Sequence, residues 1–105
     1  MNSHSAAASV LTSHASRYLQ QLCKHWSHNL AVTFRPEEGT ITFPKNGFGK
    51  NYPADATTTL QARETELEVL VEASADEQLE GVKSAVASHL DRFAFREAPL
   101  TFDWR

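Results

Sequence analysis

The chain has 105 residues, 41% of them hydrophobic, with ten Lys and Arg against 13 Asp and Glu, a formal charge of -3. That length reads as a single domain, 1–105, able to bury a core without disulfides or metal, and an acidic balance with no basic cluster argues against nucleic-acid binding. One cysteine excludes a disulfide framework and fits a reducing cytoplasm, and no apolar run approaches the roughly 20 residues of a membrane helix.

The opening MNSHSAAASVLTSH lacks the cationic stretch and long apolar segment of a secretory signal. Residues 1–5 are polar and expected to fray, and Ala7–Leu11 reads as a short first strand. Ser13 is placed as the N-cap of a helix across Ala15–Asn29. There Leu19, Leu22, Cys23 and Trp26 recur at i, i+3, i+4 and i+7, the spacing of one buried face.

After Asn29 the period becomes alternating. Ala31–Arg35 turns Val32 and Phe34 to one side, Pro36-Glu37-Glu38-Gly39 is turn chemistry, and Thr40–Phe43 sends Ile41 and Phe43 inward. The two runs predict an antiparallel hairpin. Pro44–Ala56 reads as a loop, within which Asn46-Gly47 is the strongest hairpin signal. Thr57–Ala62 and Glu66–Ala73 follow as strands, the second with Leu67, Val69, Val71 and Ala73 inward. Ser74-Ala75-Asp76-Glu77 has the form of a capping box, opening a second helix from about Ala75 to Phe93 with Leu79, Val82, Val86, Leu90 and Phe93 as its stripe. Beyond Pro99, Leu100, Phe102 and Trp104 alternate as a last strand, and Phe95 is expected to plug the helix end against the sheet.

The predicted order is β-α-β-β-β-β-α-β, an α+β two-layer sandwich with both helices on one face of an antiparallel sheet. RYLQQLCKH at Arg17–His25 and HLDRFAFRE at His89–Glu97 resemble the two signature stretches of a bacterial family catalogued as domain of unknown function 2218, and the resemblance runs from the first strand to Trp104. It implies the β-α-β4-α order of the TATA-binding-protein-like group, as in the small C-terminal domain of phosphohexomutases. It also implies an association with siderophore-interacting ferric reductases, to which similar domains occur fused or adjacent. It implies no catalytic motif, and DNA binding does not follow from such a fold, because function lives in sites and this chain is acidic.

Four groups of residues bear on function. Cys23, His25 and His28 cannot share a metal, since about 100° of turn per residue points Cys23 and His25 roughly 160° apart. Cys23 reads as a core hydrophobe, and His28 as a solvated residue near the helix C-terminus. His25 and His89 lie on the edges of their stripes that face each other if the helices run antiparallel, so both are expected to line an interhelical groove with Tyr18 and Arg92 nearby. Such a pair can share a proton, bind a metal, or serve as acid and base; ring nitrogens bonded to a backbone carbonyl or tyrosine are the plainer reading. In the loop, Lys45, Phe48, Lys50 and Tyr52 suit an anionic or aromatic ligand, although a cover for the sheet edge accounts for them too. The face away from the helices collects Thr33, Arg35, Thr40, Thr42, Thr57, Thr59, Gln61, Glu68, Leu70, Glu72, Thr101 and Asp103, a solvated surface or a docking face.

No Ser-His-Asp arrangement, HExxH or dinucleotide fingerprint is present. The sequence therefore reads as a cytoplasmic, non-enzymatic accessory or ligand-binding module, monomer or homodimer. An unknown small ligand or protein is its expected partner, with no metal, cofactor, nucleic acid or membrane, and the resemblance suggests a link to iron or siderophore metabolism. The alternatives are an enzyme using His25 and His89, and a partner-docking domain using the open sheet face.

Overall fold

Alternating and helical periods sort the apolar side chains into two layers. A computed structural model describes residues 4–47, 50–97 and 99–105. It contains β1 (His4–Leu11), α1 (Ala15–Trp26), β2 (Ala31–Arg35), β3 (Glu38–Phe43), β4 (Ala56–Ala62), β5 (Glu66–Ala73) and α2 (Asp76–Phe93). The strands form one antiparallel sheet in the order β1-β5-β4-β3-β2. Strands β2 to β5 follow one another as hairpins, and β1 closes the sheet against β5.

Register fixes the faces. Ala6 pairs with Val71, Val71 with Thr58 and Thr58 with Ile41, so these and their i±2 neighbours share the side the helices cover. Helix α1 buries Ala15, Tyr18, Leu19, Leu22, Cys23 and Trp26 and lies mainly over β2, β3 and β4. Helix α2 buries Leu79, Val82, Val86 and Leu90 and lies mainly over β5 and β1. The helices run antiparallel: Tyr18 meets Glu97, just past α2, whereas Trp26 meets His89.

Several local expectations are corrected. His4 and Ser5 belong to β1 and are paired with Ala73 and Glu72. His14, not Ser13, precedes α1, and no side chain caps it; the Thr12 hydroxyl instead accepts the His14 amide at 3.0 Å. Helix α1 stops at Trp26, where the Ser27 amide bonds the Cys23 carbonyl and the Leu30 amide bonds that of Trp26. Gly39 is not in the turn, which is Pro36-Glu37 alone, but inside β3 opposite Phe34. Asn46-Gly47 makes no hairpin: the Gly47 amide bonds the Pro44 carbonyl within a coiled loop.

The capping box does not form either. Gln78 takes the place expected of Glu77, its Oε1 accepting the Ser74 amide at 2.7 Å and its Nε2 donating to the Ala54 carbonyl at 2.9 Å. This joins the end of the long loop to the start of α2 and leaves Glu77 turned outward. At the other end of α2, Ala94 is buried and Phe95 is 73% exposed, so Ala94, not Phe95, closes the helix against the sheet.

The last segment is not a strand. Ala7 and Arg105 nevertheless exchange both backbone hydrogen bonds, at 2.9 and 2.8 Å, which covers the outer edge of β1 at that point. The Leu100 amide is held by Asp91 at 2.8 Å. Phe102 stacks on Trp104, with the Lys83 ammonium 5.4 Å from the indole. Leu100, Phe102 and Trp104 thus pack on the core's flank without entering the sheet.

Thr58 is fully buried on the helix-covered face, and its hydroxyl has no hydrogen-bond partner among the described residues. A desolvated, unpaired hydroxyl is costly, and an apolar group of the same shape removes that cost. Thr58→Val is therefore expected to stabilise the fold by about 1 kcal/mol, a rise in Tm of about 4–8 °C. A thermal melt showing a lower Tm would mean that the hydroxyl has a partner, such as a buried water.

Candidate functional site

Trp26 is the joint between the layers. It ends α1, lies 5.1 Å from the Phe43 ring at the end of β3, edge to face, and 4.7 Å from the His89 ring on α2. His25, one residue before it, stands 5.2 Å from His89 and 5.9 Å from Phe93, ring centre to ring centre. The antiparallel helices thus do bring the two histidines together. His89 is half-buried, and its Nδ1 lies 2.7 Å from the Ala85 carbonyl. A carbonyl only accepts, so Nδ1 carries the hydrogen, and in the neutral ring Nε2 carries the lone pair. His25 is exposed and makes no hydrogen bond among the described residues.

Tyr18 and Arg92 are not brought to that pair by any contact. The Tyr18 hydroxyl donates to Glu97, whose same carboxylate oxygen accepts from Thr12 at 3.0 Å. Burial first, and then the Glu97 carboxylate, raise the Tyr18 hydroxyl above its ordinary 10.0. This cluster anchors the segment after α2 to the start of α1. Arg92, three residues after His89 and so on the same side of α2, is exposed.

A groove of about 340 Å³ opens beside the aromatic joint, between the long loop and the first half of α2. Phe43, Pro44, Val82 and Ala85 give it apolar walls, with Lys50, Tyr52 and Glu77 at its polar rim. Tyr52 donates to Glu77 at 3.0 Å, and the Lys50 ammonium is 3.9 Å from the same carboxylate, so these contacts fasten the loop to α2. The loop is braced internally, the Tyr52 amide on the Lys45 carbonyl and the Lys45 amide on Asp55, both at 2.8 Å. Of the four loop candidates, Lys50 and Tyr52 line the groove, Lys45 does not, and Phe48 lies outside the described residues.

Two features of the groove escape sequence reading. Phe43 forms its wall and also packs on Trp26, so the loop site and the histidine pair are neighbours. Gly81 borders the groove in mid-helix, where glycine costs about 1 kcal/mol relative to alanine, and a Cβ added there meets nothing within 4 Å. The one available signal was a glycine inside an otherwise sound helical stripe.

The open sheet face carries Thr33, Arg35, Thr40, Thr42, Thr57, Thr59, Gln61, Glu68, Leu70 and Glu72, as their register requires. Thr101 and Asp103 are not strand residues, so no register places them on it. Leu70 is 38% exposed and edges a depression of about 320 Å³ that Thr59, Gln61, Glu68 and Arg105 also line.

Cys23 is fully buried under α1, and burial pushes its thiol from 9.0 to about 11. The folded state holds this proton more tightly than the unfolded chain, so the contribution to stability is complete below pH 9 and is lost as pH rises toward 11. Tyr18 adds a loss of the same sign above pH 10. Denaturant midpoints are expected to fall from pH 8 to pH 11, the portion between pH 9 and 10 disappearing in Cys23→Ala. The native thiol should be inert to aromatic disulfide reagents, and rapid labelling at pH 7.5 would contradict its burial.

Among the described residues no three His, Cys, Asp or Glu side chains gather in a way that could hold a metal ion, and no helix is long and apolar enough to cross a membrane.

Comparison with known proteins adds two findings. Residues 7–105 match the model of a family described as uncharacterized protein conserved in bacteria (DUF2218). The chain is also similar to PA4090 from Pseudomonas aeruginosa, whose structure was solved by NMR. The two are 28% identical with a TM-score of 0.76, over 100% of this chain and 96% of that one. No curated protein matches.

Proposed function

This chain belongs to the DUF2218 family of uncharacterized bacterial proteins, and we propose that it is a non-enzymatic binding module for a small molecule with a flat apolar body and a polar end. The observation that carries this reading is the groove itself, apolar along Phe43, Val82 and Ala85 and rimmed by Lys50, Tyr52 and Glu77. Binding sites of this kind pair apolar walls with a few placed polar groups. Among the described residues neither histidine of the joint has a hydroxyl or thiol hydrogen-bonded to it, so an activated nucleophile has no support there. The ligand lies along α2, its apolar body against Phe43, Val82 and Ala85 and its polar end at Lys50, Tyr52 and Glu77.

The finer form of this reading is a role in iron or siderophore metabolism. Its support is the association that the family resemblance implies, together with apolar groove walls of the chemistry an aryl group would need. Two further parts of the reading are a TATA-binding-protein-like fold, supported by the β-α-β4-α element order, and residence in the cytoplasm, supported by a lone buried thiol.

Titration of the ¹⁵N-labelled chain with benzoates, salicylates and catechols, each with and without ferric ion, tests the proposal. Shifts are expected at Gly47, Tyr52, Gly81, Val82 and Ala85, and at the Trp26 indole through Phe43. Gly81→Leu fills the groove without a helix penalty and should abolish these shifts while leaving Tm unchanged or higher. No shift at millimolar ligand would sink the proposal, and shifts confined to Thr59, Gln61 and Leu70 would move the binding surface to the open sheet face.

A further inference from the structure

We propose that His25 and His89 form an open site for a divalent late transition metal, Zn²⁺, Ni²⁺ or Cu²⁺, the protein supplying two imidazole nitrogens and solvent or an anionic co-ligand supplying the rest. Imidazole is the side chain best suited to these ions. Two imidazoles on one ion, with metal–nitrogen distances of about 2.0–2.1 Å and an angle near 90–110°, place their ring centres roughly 4.5–5.5 Å apart. The two rings stand 5.2 Å apart.

The surroundings of His89 prepare it as a ligand. Its Nδ1 hydrogen is held by the Ala85 carbonyl at 2.7 Å, which fixes the tautomer and leaves the Nε2 lone pair for coordination. This is the outer-shell bond that metal-bound histidines commonly make. Trp26, 4.7 Å from the ring, restricts its swing. His25 has no hydrogen bond to give up among the described residues and is exposed, so a small turn onto an ion costs it no hydrogen bond, although its ring also rests near Trp26 and Phe93.

Two protein ligands make an open site rather than a structural one. No third His, Cys, Asp or Glu joins the pair among the described residues, which leaves coordination positions for exchangeable donors. Arg92, on the side of α2 that carries His89 and exposed, and Lys24, beside His25 in sequence and also exposed, disfavour a bare cation and favour an anionic co-ligand such as a carboxylate. The inference goes beyond the groove reading and does not depend on it.

The test uses the tag-free chain with NiCl₂ or ZnCl₂ as the only added probe, followed by calorimetry and by Ni²⁺ broadening of NMR signals. One saturable equivalent is expected, with broadening centred on His25, Trp26, His89 and Phe93. His25→Ala and His89→Ala should each weaken binding at least tenfold. His28→Ala and Gly81→Leu should leave it unchanged, so a failed groove and a failed metal site give different results. If His89→Ala proves unfolded by circular dichroism, the exposed His25→Ala decides alone. The proposal is overturned by the absence of a saturable equivalent, by broadening centred on His4, His14 or His28, or by undiminished affinity in a folded His25→Ala chain.

Discussion

Replacing Trp26 with alanine is expected to cost about 3–5 kcal/mol, a large part of the 5–15 kcal/mol that holds a domain together. The indole touches all three partners of the joint, resting on Phe43 from β3, on His89 from α2 and beside His25. It is only 7% exposed, so its removal leaves a void that the sheet below cannot fill, and lost contacts add to lost burial. Trp26→Phe retains an aromatic face toward Phe43 and should recover more than half of the loss. Urea unfolding followed by circular dichroism measures both. A loss below about 1 kcal/mol for Trp26→Ala would show that the two layers are held elsewhere.

Gly39→Ala should destabilise by about 1–3 kcal/mol, although adding a methyl group to a strand glycine normally favours folding by about 0.4–1 kcal/mol through the unfolded chain. The reason is the close approach of α1 to β3. A Cβ at position 39 would stand 2.7 Å from Cys23 Sγ, 3.2 Å from Phe34 Cβ and 3.4 Å from a Leu19 methyl group. The first of these is impossible without movement, and Leu19 and Cys23 are both fully buried, so neither has room to yield. The cost should shrink by at least 0.5 kcal/mol when the same change is made in a Cys23→Ala chain, because the two positions are in contact and their effects cannot add. Equal costs in both backgrounds, measured as a double-mutant cycle, would mean that the strain comes from Phe34 and not from the thiol.

The pairing of Cys23 with Gly39 also marks where the sequence was legible and where it was not. Periodicity alone located both helices, β2 and β5 to within a few residues and the shared buried face, because apolar burial is the largest force in so small a domain. In the sequence Gly39 reads as a turn residue, because it follows Pro36, Glu37 and Glu38. Its presence is instead a packing matter, set by a helix that ends thirteen residues earlier, at Trp26, and local chemistry carries no trace of that. Ser74 and Glu77 had the right spacing for a capping box, yet Gln78 won the Ser74 amide because it could also reach the Ala54 carbonyl across the chain. The tail alternates like a strand but meets the sheet through Ala7 and Arg105, since Phe102 and Trp104 turn toward the flank of α2.

The site divides in the same way. The facing edges of two amphipathic helices were readable from rotation per residue, and His25 with His89 followed from them. Tyr18, seven residues before His25 and so two turns away on α1, is expected near the same groove. Its hydroxyl instead reaches the Glu97 carboxylate beyond the end of α2. The groove under the long loop depends on Gly81 leaving space and on Glu77 holding Tyr52 and Lys50. Both are contacts between segments far apart in the chain, which no periodic pattern records.

The convergence of α1, α2 and β3 on Trp26 underlies both the groove and the histidine pair, and a ¹³C-edited NOESY spectrum of the free chain measures it directly. Cross-peaks are expected from the Trp26 indole to the Phe43 ring and to the His89 ring, and between the rings of His25 and His89. A Trp26 indole with solvent-like chemical shifts and none of these cross-peaks would contradict the arrangement, and with it both proposed sites.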